Sequence, residues 1–301
     1  MQKFQGAYTA LITPMKDSGE IDYDGFGRLI DFQINEGIDG LVPLGTTGEA
    51  PTLEEDEEEK LIKIAVEKAN GRVPLIAGAG SNDTKHMLRY VKRAKDLGAD
   101  AALVVTPYYN KPNDLGILRH FEAAAGIGLP IIVYNIASRT GLNIPAPLME
   151  KIAQFPGIAG VKEASGDLKQ MCEVLQNIAF RRSQTDPFSV LSGDDIFTLP
   201  LMALGGDGII SVISNIVPER VKALTKACQE KRIDDAAKIH FELMPLMKAL
   251  FIETNPAPIK QAMTWAGLPG GPCRLPMGHI SSSSEAILKS AMTGMRIKVR
   301  D

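Results

Sequence analysis

Cysteine is scarce in this sequence: three residues in 301, standing far apart at Cys172, Cys228 and Cys273. An odd, scattered set forms neither a disulfide framework nor a metal-ligand spacing, and it fits a reducing compartment. An excess of one charge is also lacking, since 33 Lys and Arg face 36 Asp and Glu for a net charge of −3. Without a basic surplus there is no electrostatic footprint for a phosphate backbone, so nucleic acid is not the expected partner. No stretch approaches the roughly 20 apolar residues that span a bilayer. The opening MQKFQGAYTALITPM has no signal-peptide run either, so a cytoplasmic protein away from the membrane is expected.

What is present is an ordinary globular composition, 45% hydrophobic and 23% charged. A chain of this length buries roughly 75% of the surface its unfolded form exposes, so its core needs no disulfide or metal. Eight short apolar runs recur: Ala7 to Ile12, Gly40 to Leu44, Pro74 to Ala79, Ala101 to Thr106, Pro130 to Tyr134, Ile158 to Val161, Ser189 to Leu191 and Gly208 to Val212. Gly, Pro or Asp bounds each run. The apolar residues are continuous rather than alternating, as in parallel strands covered on both faces.

The segments between the runs have helical punctuation. Phe26, Leu29, Ile30 and Ile34 share one helical face, with Gly37 placed as a C-terminal cap. Thr52-Leu53-Glu54-Glu55 has capping-box spacing, and the acids from Glu54 to Glu59 read as a solvated first turn favoured by the helix dipole. Eight strand–helix units fill the chain to Gln229, the size of a (β/α)8 barrel. The remainder is helical, with candidates at Ile233 to Phe251 and Pro256 to Ala266 and a third capped by Ser282-Ser283-Ser284-Glu285. The expected organisation is a barrel domain at 1–229 with a C-terminal helical region at 230–301 packed on it. A doubly wound open sheet is the competing arrangement, and the count of eight units favours closure.

In a barrel of this kind catalytic groups project from the C-terminal ends of strands. Those ends carry Gly45-Thr46-Thr47-Gly48-Glu49, Thr106-Pro107-Tyr108-Tyr109-Asn110, Tyr134-Asn135 and Gly160-Val161-Lys162-Glu163. Hydroxyls, phenols and one lysine therefore share one end, with no His or Cys cluster for a metal. Small apolar neighbours at Ile158 to Val161 would draw Lys162 inward. Burial favours a neutral amine, which is a nucleophile toward carbonyls. Taken alone, a surface lysine just past the strand is the simpler reading. The Gly-Thr-Thr-Gly loop can hold a carboxylate on its hydroxyls and N–H groups or be a plain tight turn, and it has no P-loop lysine.

Five ordered motifs change that balance: Gly45-Thr46-Thr47-Gly48-Glu49, Val105 to Asn110, Tyr134 to Gly141, Val161-Lys162-Glu163-Ala164 and Leu191-Ser192-Gly193-Asp194-Asp195. Together they resemble the dihydrodipicolinate synthase / N-acetylneuraminate lyase family. The likeness runs from Thr13-Pro14 through Gly205 to Ser211 and on to Asn255-Pro256 and Leu275-Pro276-Met277. The resemblance implies a class I aldolase that handles pyruvate without a metal or organic cofactor. Lys162 would form the imine, Tyr134 would shuttle protons, and Thr46 and Tyr109 would complete a relay, with Tyr109 given by a neighbouring subunit. Thr47, the Ile210 backbone and Gly193 would bind substrate.

Arg139, in the Tyr-Asn motif, matches the branch that binds the carboxylate of aspartate semialdehyde, as a guanidinium does well. The resemblance therefore implies condensation of pyruvate with aspartate semialdehyde to 4-hydroxy-tetrahydrodipicolinate, toward diaminopimelate and lysine, by a homotetramer built as a dimer of dimers. Ala137 stands where the family has proline and removes a fixed φ from the Arg139 loop. Ala50-Pro51, Glu55, Glu58 and His86 replace residues of lysine-sensitive members, implying weak or absent lysine inhibition. The alternatives are a sialic acid or 2-keto-3-deoxy sugar acid aldolase, and a non-catalytic metabolite-binding protein on the same scaffold.

Overall fold

The eight apolar runs are eight strands in the computed structural model, which describes residues 2–183 and 185–300. They are β1 (Gly6–Ala10), β2 (Gly40–Val42), β3 (Ile76–Gly78), β4 (Ala101–Val105), β5 (Ile131–Asn135), β6 (Ile158–Glu163), β7 (Ser189–Ser192) and β8 (Gly208–Ser211). Every strand residue is buried except the last of β3 and of β4. That is the burial expected of strands covered on both faces.

The chain gathers into two compact units, one containing Ile76–Ile210 and the residues up to Gly6, the other Ala7–Leu75 and the residues from Ser211 onward. In the first unit β3 to β8 lie side by side in chain order, each parallel to the next. A doubly wound sheet reverses its strand order part-way, whereas chain-order neighbours with intervening helices are the (β/α)8 pattern.

One irregularity in this unit sets which side chains share a face. Ile131 pairs with Ile158 but Ile132 pairs with Gly160, so Ala159 is a bulge residue on β6. Gly160 must lack a side chain, because a Cβ there would lie 2.3 Å from the Ser189 carbonyl oxygen. Past the bulge Tyr134 pairs with Lys162 and Asn135 with Glu163. The two-residue period of a strand then puts Tyr134 and Lys162 on one face and Asn135 and Glu163 on the other.

The helices Thr84–Asp96 and Asp114–Ala125 meet through Thr84 Oγ1 and His120 Nδ1, 2.9 Å apart. His120 is buried and, among the described residues, its Nε2 has no partner. Desolvation lowers its pKa from 6.5 to about 4, against a smaller opposing pull from Asp83. A histidine buried neutral contributes stability that is fully present above the unfolded pKa and is lost as pH falls through the folded one. From pH 6.5 down to about 4, stability should therefore drop by up to roughly 3 kcal/mol through this group. Urea unfolding at pH 7 and pH 4.5 checks this: His120→Gln should lose less stability between the two than the parent chain, and an equal loss refutes it.

In the second unit β1 and β2 pair in parallel, with Tyr8 opposite Gly40. A Cβ on Gly40 would lie 2.1 Å from the Tyr8 ring. Asn215 ties the loop after β1 to the loop after β8, its Oδ1 accepting from Ile12 N at 3.1 Å and its Nδ2 donating to Ala10 O at 2.8 Å. The helical C-terminal part comprises Ile233–Ala249, Ala257–Ala266 and Ser282–Gly294. Among the described residues no helix is long and apolar enough to cross a membrane.

Two helix starts differ from the sequence reading. The helix Glu55–Ala69 is capped by Glu54, whose N–H donates to Glu57 at 3.0 Å, and not by Thr52. Thr52 closes a 3₁₀ turn instead, with its hydroxyl donating to Glu49 O. The helix Ser282–Gly294 takes Ser281 as its cap, one residue earlier than expected. The acidic run is also not wholly solvated: Glu57 forms a two-pronged ion pair with Arg274, with both contacts at 2.6 Å. That bond holds the Glu57 carboxyl below the usual carboxylate range.

Candidate active site

Lys162 is 5% exposed at the end of β6, and its ammonium lies 4.2 Å from the centroid of the Tyr134 ring. The surface-lysine alternative is thereby removed. The ladder pairing of β5 with β6 causes this proximity, since both side chains leave the same face at the same level. Gly193 explains how a lysine stem fits there. A Cβ on Gly193 would stand 3.1 Å from Lys162 Cε and 2.7 Å from the Ala164 Cβ, so the glycine clears the channel that the stem occupies. Thr106 is buried at the end of β4, and its hydroxyl donates to Tyr134 O at 3.1 Å, fixing the strand end that carries the phenol.

Tyr109 and Arg139 both stand exposed on this chain. Tyr109 is 90% exposed and sits at φ +71°, a left-handed conformation that a side chain enters at a cost of order 1–3 kcal/mol. Its neighbour Tyr108 is half-buried, and burial pushes its phenol up, with Tyr90 adding to the shift. Arg139 is exposed in a single helical turn, Ala137–Thr140, closed by Gly141 at φ +70°. Ile210 is fully buried on β8.

In the second unit the Gly45–Gly48 loop is bracketed by two non-glycine residues in the left-handed region, Leu44 at φ +59° and Glu49 at φ +57°. Strained backbone persists only where surroundings over-determine it, and the surroundings here are explicit. Thr13 donates to Gly48 O at 2.7 Å, and Asn255 Nδ2 donates to Thr47 Oγ1 at 3.0 Å. Lys260, 1% exposed, donates to Glu49 Oε1 at 2.5 Å and to Pro272 O at 2.6 Å, while Glu49 Oε2 accepts from Arg274 N at 2.8 Å. Thr47 is buried and Thr46 half-buried. Burial pushes the Cys273 thiol up to about 11, with Glu49 adding to the shift.

These supports escaped the sequence reading. Lys260 lies 211 residues from Glu49, and helical periodicity alone marks it only as a charged residue among apolar ones. Among the described residues, no group of three or more His, Cys, Asp or Glu could hold a metal ion.

Residues 3–294 match the model of the dihydrodipicolinate synthetase family. The chain belongs to this family. A relative from Protochlamydia amoebophila, a 4-hydroxy-tetrahydrodipicolinate synthase, is 48% identical over 93% of this chain and 92% of its own. Another of that name, from Syntrophotalea carbinolica, is 46% identical over 97% and 98%. The crystal structure of dihydrodipicolinate synthase from Aquifex aeolicus aligns with a TM-score of 0.94 at 43% identity, covering 99% of this chain and 100% of that one. The fold class is accordingly the (β/α)8 barrel with a helical C-terminal part.

Proposed function

We infer that the chain is a lyase that condenses pyruvate with aspartate semialdehyde to 4-hydroxy-tetrahydrodipicolinate, in the route to diaminopimelate and lysine. Relatives at 41–48% identity that carry this activity in their names support the reading over the sugar-acid aldolase and metabolite-binding alternatives. The observation that carries the mechanism is the buried Lys162 ammonium against the Tyr134 ring.

Lys162 Nζ, once neutral, attacks the pyruvate ketone, and loss of water gives a protonated imine. The imine draws electrons from the methyl carbon, which loses a proton to become an enamine. The enamine carbon then attacks the aldehyde of the acceptor, whose oxygen takes up a proton. The acceptor's amine displaces Lys162 from the imine carbon, closing the ring and freeing the lysine. The imine is itself the electron sink, so the chemistry calls for no metal or organic cofactor. Tyr134 passes the protons, with the hydroxyls of Thr46 and Tyr109 as relay members. Thr47, the Ile210 backbone and Gly193 serve pyruvate, Gly193 by leaving room for the lysine stem. Arg139 binds the acceptor carboxylate as a two-pronged donor.

The exposure of Tyr109 supports a second copy of the chain as the place where its phenol acts. We assign a dimer as the smallest active form and a homotetramer, a pair of such dimers, as the complete one, working in the cytoplasm. Tyr134→Phe should lower kcat by roughly 10²- to 10⁴-fold with little change in the pyruvate KM. Tyr109→Phe should lose activity too. Mixing it with Lys162→Ala chains should restore part of that activity, because one hybrid site regains both groups. Full activity from a monomer in sedimentation would refute the shared relay.

A further inference from the structure

We propose that Glu163, Asn135, Asn143 and Gln170 are positioning residues for the acceptor substrate, holding the loop that presents Arg139. The inference rests on the function proposed above. Asn135 and Glu163 are the strand partners on the face opposite Tyr134 and Lys162. The site therefore has a second, buried tier behind its catalytic pair.

Glu163 is fully buried, and its carboxylate is satisfied by neutral donors. Oε1 accepts from Ser165 N at 2.7 Å and Oε2 from Gln170 Nε2 at 3.0 Å, while Asn135 Nδ2 stands 3.2 Å from each oxygen. A buried carboxylate left without such donors is costly, so the donors are fixed in place around it. The same Asn135 closes the Arg139 loop. Its Oδ1 accepts from Ile144 N at 3.0 Å, and its Nδ2 donates to Asn143 Oδ1 at 2.9 Å. Asn143 in turn donates to Gln170 Oε1 at 2.7 Å.

The chain thus leaves β5 at Asn135 and is captured again at Asn143 and Ile144 by the side chain it left from. Arg139 stands exposed in the middle of this closed excursion. Within it the Thr140 hydroxyl bonds to the turn, 3.0 Å from Ile136 O and 2.8 Å from Leu142 O. The loop is therefore tied together by its own bonds, and its base is set by the Glu163 cluster. Loosening the base shifts the guanidinium while leaving Lys162 and Tyr134 on their own face. A misplacement of about 1 Å can cost roughly 10²-fold.

The test is Gln170→Ala and Asn143→Ala, each assayed for the KM of both substrates and for borohydride trapping of pyruvate. The KM for aspartate semialdehyde should rise roughly 10- to 100-fold, with the pyruvate KM and trapping yield within about twofold of the parent. In an Arg139→Ala background Gln170→Ala should add nothing, because it acts through Arg139. An unchanged acceptor KM, parallel losses for both substrates, or effects that multiply in the double variant would overturn the proposal. If the parent chain itself traps pyruvate but turns over no aspartate semialdehyde, the reading of the acceptor fails instead, which a normal parent and unaffected variants would not show.

Discussion

Lys162→Ala is expected to abolish condensation of pyruvate with aspartate semialdehyde, by roughly 10⁴-fold or more, while the chain stays folded. The size follows from covalent catalysis: without the amine there is no imine, and without the imine the pyruvate methyl proton is not acidic enough for Tyr134 to remove. The retained fold follows from the setting. Lys162 lies against Tyr134 and Gly193 and takes no part in the buried ion pair or the Asn135 cluster. Circular dichroism and thermal unfolding close to those of the parent, together with lost turnover, are the expected pair of results. Lost turnover with a collapsed Tm would show Lys162 to be structural, and turnover within tenfold of the parent would remove it from the mechanism.

The second large effect is on stability. Lys260→Met should destabilise the chain by about 3–5 kcal/mol, because it leaves the Glu49 carboxylate buried without its cation. The pair is closed from water on both sides, with side-chain exposures of 1% and 2%. It also braces a residue at positive φ, so the unpaired carboxylate cannot be relieved by a small turn of the backbone. The midpoint of thermal unfolding should fall by on the order of 10 °C. Lys260→Met combined with Glu49→Gln should recover part of the loss, since no uncompensated charge then remains. A change below about 1 kcal/mol for Lys260→Met would mean that water reaches Glu49.

Much of the fold was legible because burial on both faces of a strand forces continuous apolar runs, and all eight were found. Lys162 was not legible from its neighbours alone, which suit a surface lysine just past the strand as well as a buried one; the five ordered motifs together singled it out. The capping residues were misplaced by one or two positions because Thr52 and Ser282 each satisfy the spacing that Glu54 and Ser281 fulfil. Glu57 was hidden in a run of acids, and nothing local distinguishes the member that meets Arg274. The braces of the Gly45–Gly48 loop were illegible because they come from residues more than two hundred positions away. Glu163 could have been found. Strand alternation puts it on the face opposite Lys162, and a carboxylate fully buried there must have donors waiting.

The central claim is that Lys162 carries pyruvate as an imine. Incubating the protein with pyruvate and borohydride, then measuring its intact mass and mapping the peptides, tests it directly. The account predicts one reduced pyruvate adduct per chain, on the peptide containing Lys162, and none in Lys162→Ala. Folded protein that takes up no adduct, or takes it up equally on other lysines, would contradict it.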